Sequence, residues 1–179
     1  MKIVTLLLTL FASLSAFLPA AQAFESDSNT VGYTDYGGAS YFRDYCDGFH
    51  GPWRNRLVGI SARTSGGRLV GYSGECQGPF TPGRGSSSYS SSVLVECANL
   101  STYAVDGLRG YSDSSGVTSI GIACNNGSSS ANVGPLVGSL GPYYNSVRCP
   151  SGNVAWGVWS SATSSRVGRL GMICNNWWP

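Results

Sequence analysis

Nine carboxylates, one histidine and six cysteines are the residues of this 179-residue chain best able to make or break bonds, and their spacing favours little of that chemistry. Hydrolysis of a glycan by general acid and base needs two carboxylates held across a cleft. Asp44 and Asp47 flank Cys46 and have the spacing to share a groove, but paired loop acids outside any motif are ordinarily just solvated. His50 has no serine or cysteine motif beside it to activate, which argues against a nucleophilic triad. Asp106 stands where two related segments carry Val58 and Trp156. It either pairs with an arginine such as Arg109 or lies at an open end of the fold where an inward face meets water. A metal site needs closely spaced Cys or Cys/His pairs, and the sequence holds no CxxC. The expectation is a protein without catalytic residues, cofactor or metal.

Binding a carbohydrate asks for less: an aromatic ring for the apolar face of a sugar, a few backbone amides, and a carboxylate for its hydroxyls. Asp35, Tyr36, Gly37, Gly38 and Tyr41 bring these ingredients to one glycine turn. Asp113 and Trp159 are further candidates, and Trp53 lies in His50-Gly51-Pro52-Trp53-Arg54, an insertion that interrupts the internal repeat. Each has a plainer alternative. The tyrosines also suit packing between sheets, the insertion suits an ordinary long hairpin end, and Trp177-Trp178 suit a cover over an open end of the core.

The elements that must position these residues repeat three times. Gly59, Gly107 and Gly157 are each followed by an aliphatic residue, a Ser/Gly-rich turn, an apolar stretch, and a cysteine 17 residues on, at Cys76, Cys124 and Cys174. Tyr72, Ile120 and Leu170 lie four residues before those cysteines, and Gly74, Ile122 and Met172 two before, an alternation that predicts one inward strand face. Each repeat is therefore a β-hairpin at the least, and no stretch sustains a helical period. Val31 to Tyr45 reads as two short strands around Gly37-Gly38. The Gly-, Pro- and Ser-rich stretches Gln77 to Glu96 and Asn125 to Arg148 read as strand plus loop, because each ends in an apolar or aromatic run before the next opening cysteine. The repeat assigns the six cysteines as one opening and one closing residue per unit: Cys46–Cys76, Cys97–Cys124 and Cys149–Cys174.

Residues 1–23 have the form of a signal peptide: Lys2, an apolar run from Ile3 to Leu18, and Ala21-Gln22-Ala23 as the cleavage site. Secretion to an extracellular or periplasmic space follows, with no membrane span once the signal is removed. Residues 24–179 are then one domain with repeats at about 31–76, 77–124 and 125–174. After Lys2 there is no lysine, charged residues make up 11% of the chain, and no basic stripe is present to neutralise phosphates, which excludes a nucleic-acid partner. Asn99-Leu100-Ser101 and Asn126-Gly127-Ser128 fit the glycosylation sequon.

The repeat resembles that of the vitelline membrane outer layer proteins and the secreted bacterial jacalin-like lectin domains. Ile120-Gly121-Ile122-Ala123-Cys124, Leu170-Gly171-Met172-Ile173-Cys174, Cys149-Pro150-Ser151-Gly152 and the Gly37-Gly38 pair upstream of Cys46 carry the resemblance, which spans nearly all of the chain after residue 23. It implies an all-β fold, a β-prism of three roughly four-stranded sheets about a pseudo-three-fold axis, with the first and last strands completing one sheet. It also implies that the Gly37-Gly38 turn helps to form a sugar pocket. Those domains often carry an aspartate just before the closing aliphatic-Gly, where this chain has Gly71, Ser119 and Arg169. The expected role is non-catalytic carbohydrate binding, with glycans or the components of an extracellular coat as partners. A structural part in such a coat is the alternative, ahead of a glycan-modifying enzyme.

Overall fold

Each Gly-to-Cys segment forms the hairpin that its alternation predicts, in a computed structural model that describes residues 26–32, 38–46, 56–100, 102–126 and 130–176. The strands are β1 (Ser26–Asp27), β2 (Ser40–Tyr45), β3 (Leu57–Ser65), β4 (Arg68–Cys76), β5 (Arg84–Gly85), β6 (Ser91–Glu96), β7 (Ala104–Asp113), β8 (Gly116–Asn125), β9 (Ser130–Val133), β10 (Val137–Gly138), β11 (Tyr143–Arg148), β12 (Asn153–Ala162) and β13 (Val167–Asn176). The hairpins β3–β4, β7–β8 and β12–β13 turn inward the residues that the period of two selects. Tyr72, Leu170, Ile122 and Met172 are fully buried, and Ile120 is 1% exposed. Burying one leucine or isoleucine contributes about 1.5–3 kcal/mol, and residues from all three hairpins join one core cluster. Tyr72, which replaces the aliphatic residue of the other repeats, donates its hydroxyl to Ser160 Oγ on the facing β12 at 2.7 Å. Burial raises the pKa of that hydroxyl and keeps it a donor.

The hairpins build three sheets of one plan, ordered β1-β13-β12-β2, β5-β4-β3-β6 and β10-β8-β7-β11, with β9 also on β8. They are named A, B and C below. In each, a strand of six residues ending at an opening cysteine lies beside the first strand of the hairpin: β2 on β12, β6 on β3, β11 on β7. Each opening strand thus joins the hairpin of the preceding repeat, and β2 closes the ring by joining the last. The disulfides Cys46–Cys76, Cys97–Cys124 and Cys149–Cys174 are the three that the repeat assigns. Because of the strand exchange, each bond joins two different sheets, A to B, B to C and C to A, so the three staple the bases of the hairpins into a ring.

Bulges fall at matching places. The register skips Val58, Asp106 and Trp156 in the first strands and Val70, Thr118 and Gly168 in the second. The carbonyls of Trp156, Val58 and Asp106 accept the N–H groups of Cys46, Cys97 and Cys149. Over the second set of bulges pass Gly32, Gly85 and Gly138, all with positive φ, and a Cβ on any of them would come closer than 3.0 Å to the carbonyl oxygen of Gly168, Val70 or Thr118 respectively. One expectation fails here. Val31 to Tyr45 is not a hairpin, since Val31 bridges Leu170 on one edge of the β12–β13 hairpin while β2 pairs with β12 on the other.

Candidate functional site

Two of the carboxylates considered for chemistry, Asp44 and Asp106, are held by arginines. Asp44, on the inner face of β2 and 3% exposed, accepts two hydrogen bonds from Arg84 of β5, one of them from Nε at 2.8 Å. The pair bridges sheets A and B, and the Arg84 guanidinium lies 4.3 Å from the centroid of the Phe42 ring. Asp106 sits on a bulge and takes Arg148 Nη1 at 2.7 Å and Asn125 Nδ2 at 3.3 Å. Its partner is therefore Arg148 of the adjacent strand. Arg109, the arginine suggested by proximity in sequence, donates to the carbonyl of Gly134 instead. Among the described residues no group of three His, Cys, Asp or Glu gathers to hold a metal ion.

A carboxylate pair that the sequence did not suggest lies on the outer face of sheet B. Glu75 and Glu96 belong to strands on either side of β3, and both pair with Gly59, whose lack of a side chain leaves room for them above it. Burial, then the charge of Glu96 and a hydrogen bond with it, raise the pKa of Glu75 above the ordinary glutamate value. The folded chain thus holds this proton more tightly than the unfolded chain does, and stability falls as pH rises from the ordinary glutamate value through the raised one. Glu75→Gln is expected to stabilise the protein at pH 7, by less than about 1 kcal/mol because the pair is partly solvated, and to have little effect at pH 4. Urea unfolding of both proteins at the two pH values tests this; an equal effect at both would disprove the shared proton.

The three outer faces differ in chemistry although the scaffold repeats. Sheet B presents Ser92, Leu94 and Glu96 along its opening strand, and sheet C presents Tyr144, Ser146 and Arg148. Sheet A presents Tyr41, Arg43 and Tyr45, with Trp159 of β12 directly opposite Arg43. Tyr41 is 63% exposed and Tyr45 37%. Arg43 Nε donates to Tyr45 Oη at 3.2 Å. Trp159 is half-buried over Gly171, a position where any Cβ would strike the indole, and its Nε1–H has no acceptor. Beside Tyr45 a cleft of about 330 Å³ runs between β2 and residues 79–82, with the exposed ring of Phe80 on its far wall. Gly38, with φ of 82°, leads into β2 at the end of the sheet where the hairpins turn. Gly38, Tyr41 and Trp159 therefore share one sheet. Sequence reasoning missed Arg43, Tyr45 and Phe80; the alternation of β2 was the available signal for the first two.

Asp113 belongs elsewhere, at the end of β7 in sheet C. Its carboxylate accepts Arg68 Nη1 at 2.7 Å, Arg68 Nη2 at 2.8 Å and the Ser115 N–H at 2.6 Å. The hydrogen bonds from Arg68 hold it below the usual carboxylate range, with the Ser115 N–H and the charge of Arg166 acting in the same direction. Asp35, Tyr36, Gly37, Asp47, His50, Trp53, Trp177, Trp178 and the expected signal peptide lie outside the described residues.

No protein-family model and no curated protein matches the sequence. Solved structures do match it in fold. The structure of a prostate-specific WGA16 glycoprotein lectin superposes with a TM-score of 0.59 at 14% identity, covering 82% of this chain and 97% of that one. Calsepa lectin in complex with a bisected glycan gives 0.60 at 17%, covering 84% and 97%. Frutapin, a lectin from Artocarpus incisa, gives 0.58 at 15%, covering 84% and 98%. At these identities the likeness speaks for the fold alone: the chain has the all-β, three-sheet prism found in these lectins.

Proposed function

We propose that this chain is a secreted, non-catalytic carbohydrate-binding protein whose binding surface is the outer face of sheet A. The observation that carries the proposal is the contrast between the three faces: one scaffold is repeated, and in sheet A it bears Tyr41, Arg43, Tyr45 and Trp159. Flat rings spaced along a rigid strand suit the C–H faces of sugars, and the guanidinium among them suits hydroxyls. Support also comes from the fold, since the matching structures are lectins and Calsepa lectin is seen with a glycan. Gly38, with Asp35, Tyr36 and Gly37 before it in sequence, extends the proposed surface toward the hairpin turns, and Trp53 and Asp113 stand as further proposed contacts. The N-terminal 23 residues supply the secretion part of the reading.

A glycan array with the chain lacking residues 1–23 tests the proposal. Binding to at least one glycan class is expected. Tyr45→Ala should lower its affinity about five- to tenfold, the scale of one aromatic contact, and leave the melting temperature in place because the ring is exposed. Absence of binding to every glycan would overturn the reading. Attachment to intact extracellular coats that Tyr45→Ala and Trp159→Ala leave untouched would favour the structural role.

A further inference from the structure

We propose that the cleft beside Tyr45, at the disulfide end of the prism, takes a sugar residue bearing a methyl group, either an acetamido sugar or a 6-deoxy sugar. The inference deepens the carbohydrate-binding reading, on which its saccharide part rests. The cleft of about 330 Å³ lies between β2 and residues 79–82, where sheets A and B meet. That size is at the lower end of the roughly 300–1,000 Å³ of small-ligand sites and suits one sugar residue.

The walls are fixed before any ligand arrives, which lowers the cost of binding. Tyr45 directly precedes Cys46 and Pro79 stands three residues after Cys76, so the Cys46–Cys76 disulfide ties the two walls together. Phe80 bridges Glu75, the residue before that closing cysteine. The Thr81 N–H donates to the carbonyl of Gly74 at 2.8 Å, and the Thr81 hydroxyl accepts the Gly74 N–H at 2.7 Å. Pro79 and Pro82 fix φ on either side. On this frame the Phe80 ring is 54% exposed, with Tyr45 37% exposed on the facing wall. The other two repeats place Val133 opposite Ala123 and Asp27 opposite Ile173 at the corresponding position. The scaffold therefore does not itself require an aromatic residue there.

The polar side chains that line the cleft already serve the fold. Both carboxylate oxygens of Asp44 accept hydrogen bonds from Arg84, and Arg43 Nε donates to Tyr45 Oη. Thr81 is bonded to Gly74 and is 4% exposed. What the cleft offers a ligand is two rings and the apolar edges of Pro79 and Pro82. A sugar presenting hydroxyls alone would bury them against these groups without partners, a cost that a methyl substituent avoids. An acetamido group and a deoxygenated C6 are two ways for a sugar ring to carry that methyl.

The experiment titrates the oxidised native chain with two matched pairs of methyl glycosides, followed by the shifts of its backbone amides. The pairs are an N-acetylglucosaminide against a glucoside, and a 6-deoxygalactoside against a galactoside. In at least one pair the methyl-bearing member is expected to bind about four- to tenfold more tightly, the scale of one methyl moved into apolar contact, with shifts at Phe80 and Thr81. Phe80→Ala should bring that ratio near one and Phe80→Leu should keep part of it, neither lowering the melting temperature because the ring is exposed. The pair that shows the preference identifies the acetamido or the 6-deoxy sugar. Absence of a preference in both pairs, a preference that survives Phe80→Ala, or shifts confined to other parts of the chain would overturn the inference. Binding on the glycan array would then leave the carbohydrate reading standing, whereas an array without any binding would overturn both.

Discussion

A variant with Cys97 and Cys124 both replaced by alanine is expected to lose about 3.5 kcal/mol of unfolding free energy, the chain-entropy cost of opening a loop of this size. The native stability of such a domain is about 5–15 kcal/mol, so one bond is a large share of it. The geometry explains why the loss should be felt as separation of sheets. Cys97 follows β6 in sheet B and Cys124 lies on β8 in sheet C, with Cα atoms 5.9 Å apart, and both sulfurs are nearly inaccessible. Without the bond, the base of B against C is held by side-chain packing and, at the far end, by the Arg68–Asp113 pair. Equilibrium urea unfolding of the oxidised native chain and the variant measures the difference. A cost below about 1 kcal/mol would show that core packing alone fixes the sheets. Because the three bonds form a ring, reducing all of them should remove more than most of the native stability, and the reduced chain should be largely unfolded at 37 °C.

The hairpins, their inward faces and the cysteine partners were legible because each depends on residues close in sequence or on a pattern repeated three times. Period two selected Ile120, Ile122, Leu170 and Met172 as core, and all are buried. Beyond the resemblance, which implies that the first and last strands complete one sheet, the residues themselves do not show the choice of neighbour for each opening strand. Tyr41-Phe42-Arg43-Asp44 has the same backbone donors and acceptors as any other strand, and only the closed ring of three sheets decides that it joins the last hairpin. The same closure splits Val31 and β2 between two edges. A weaker signal was present and unused: Gly32, Gly85 and Gly138 are equally spaced along the chain, and each passes a bulge carbonyl where a side chain has no room. At the candidate site, Tyr41 and Trp159 were identified as residue types, but their shared face depends on a register between strands more than a hundred residues apart. Glu75 and Glu96 meet only because both pair with Gly59.

Asp44→Ala is expected to destabilise the protein by about 3 kcal/mol and to leave the glycan affinity of the remaining folded protein unchanged. The carboxylate is 3% exposed, and its geometry holds Arg84 between Phe42 and the edge of sheet A. Removing it strands a guanidinium that is 28% exposed, so water recovers part of the lost solvation and the cost falls at the low end of the range for broken buried pairs. Arg84→Met alone leaves the carboxylate, the more deeply buried partner, without its donor and should cost at least as much. The double variant Asp44→Ala/Arg84→Met buries no unpaired charge, so it should be more stable than either single variant, and a double-mutant cycle measures the coupling. An acid serving catalysis would behave in the opposite way: its removal would abolish turnover of a glycan while stability held or rose. Asp44 is thus a test of the whole reading, because the residue nearest in sequence to the proposed aromatic surface should prove structural, and the exposed Tyr45 beside it should carry the binding.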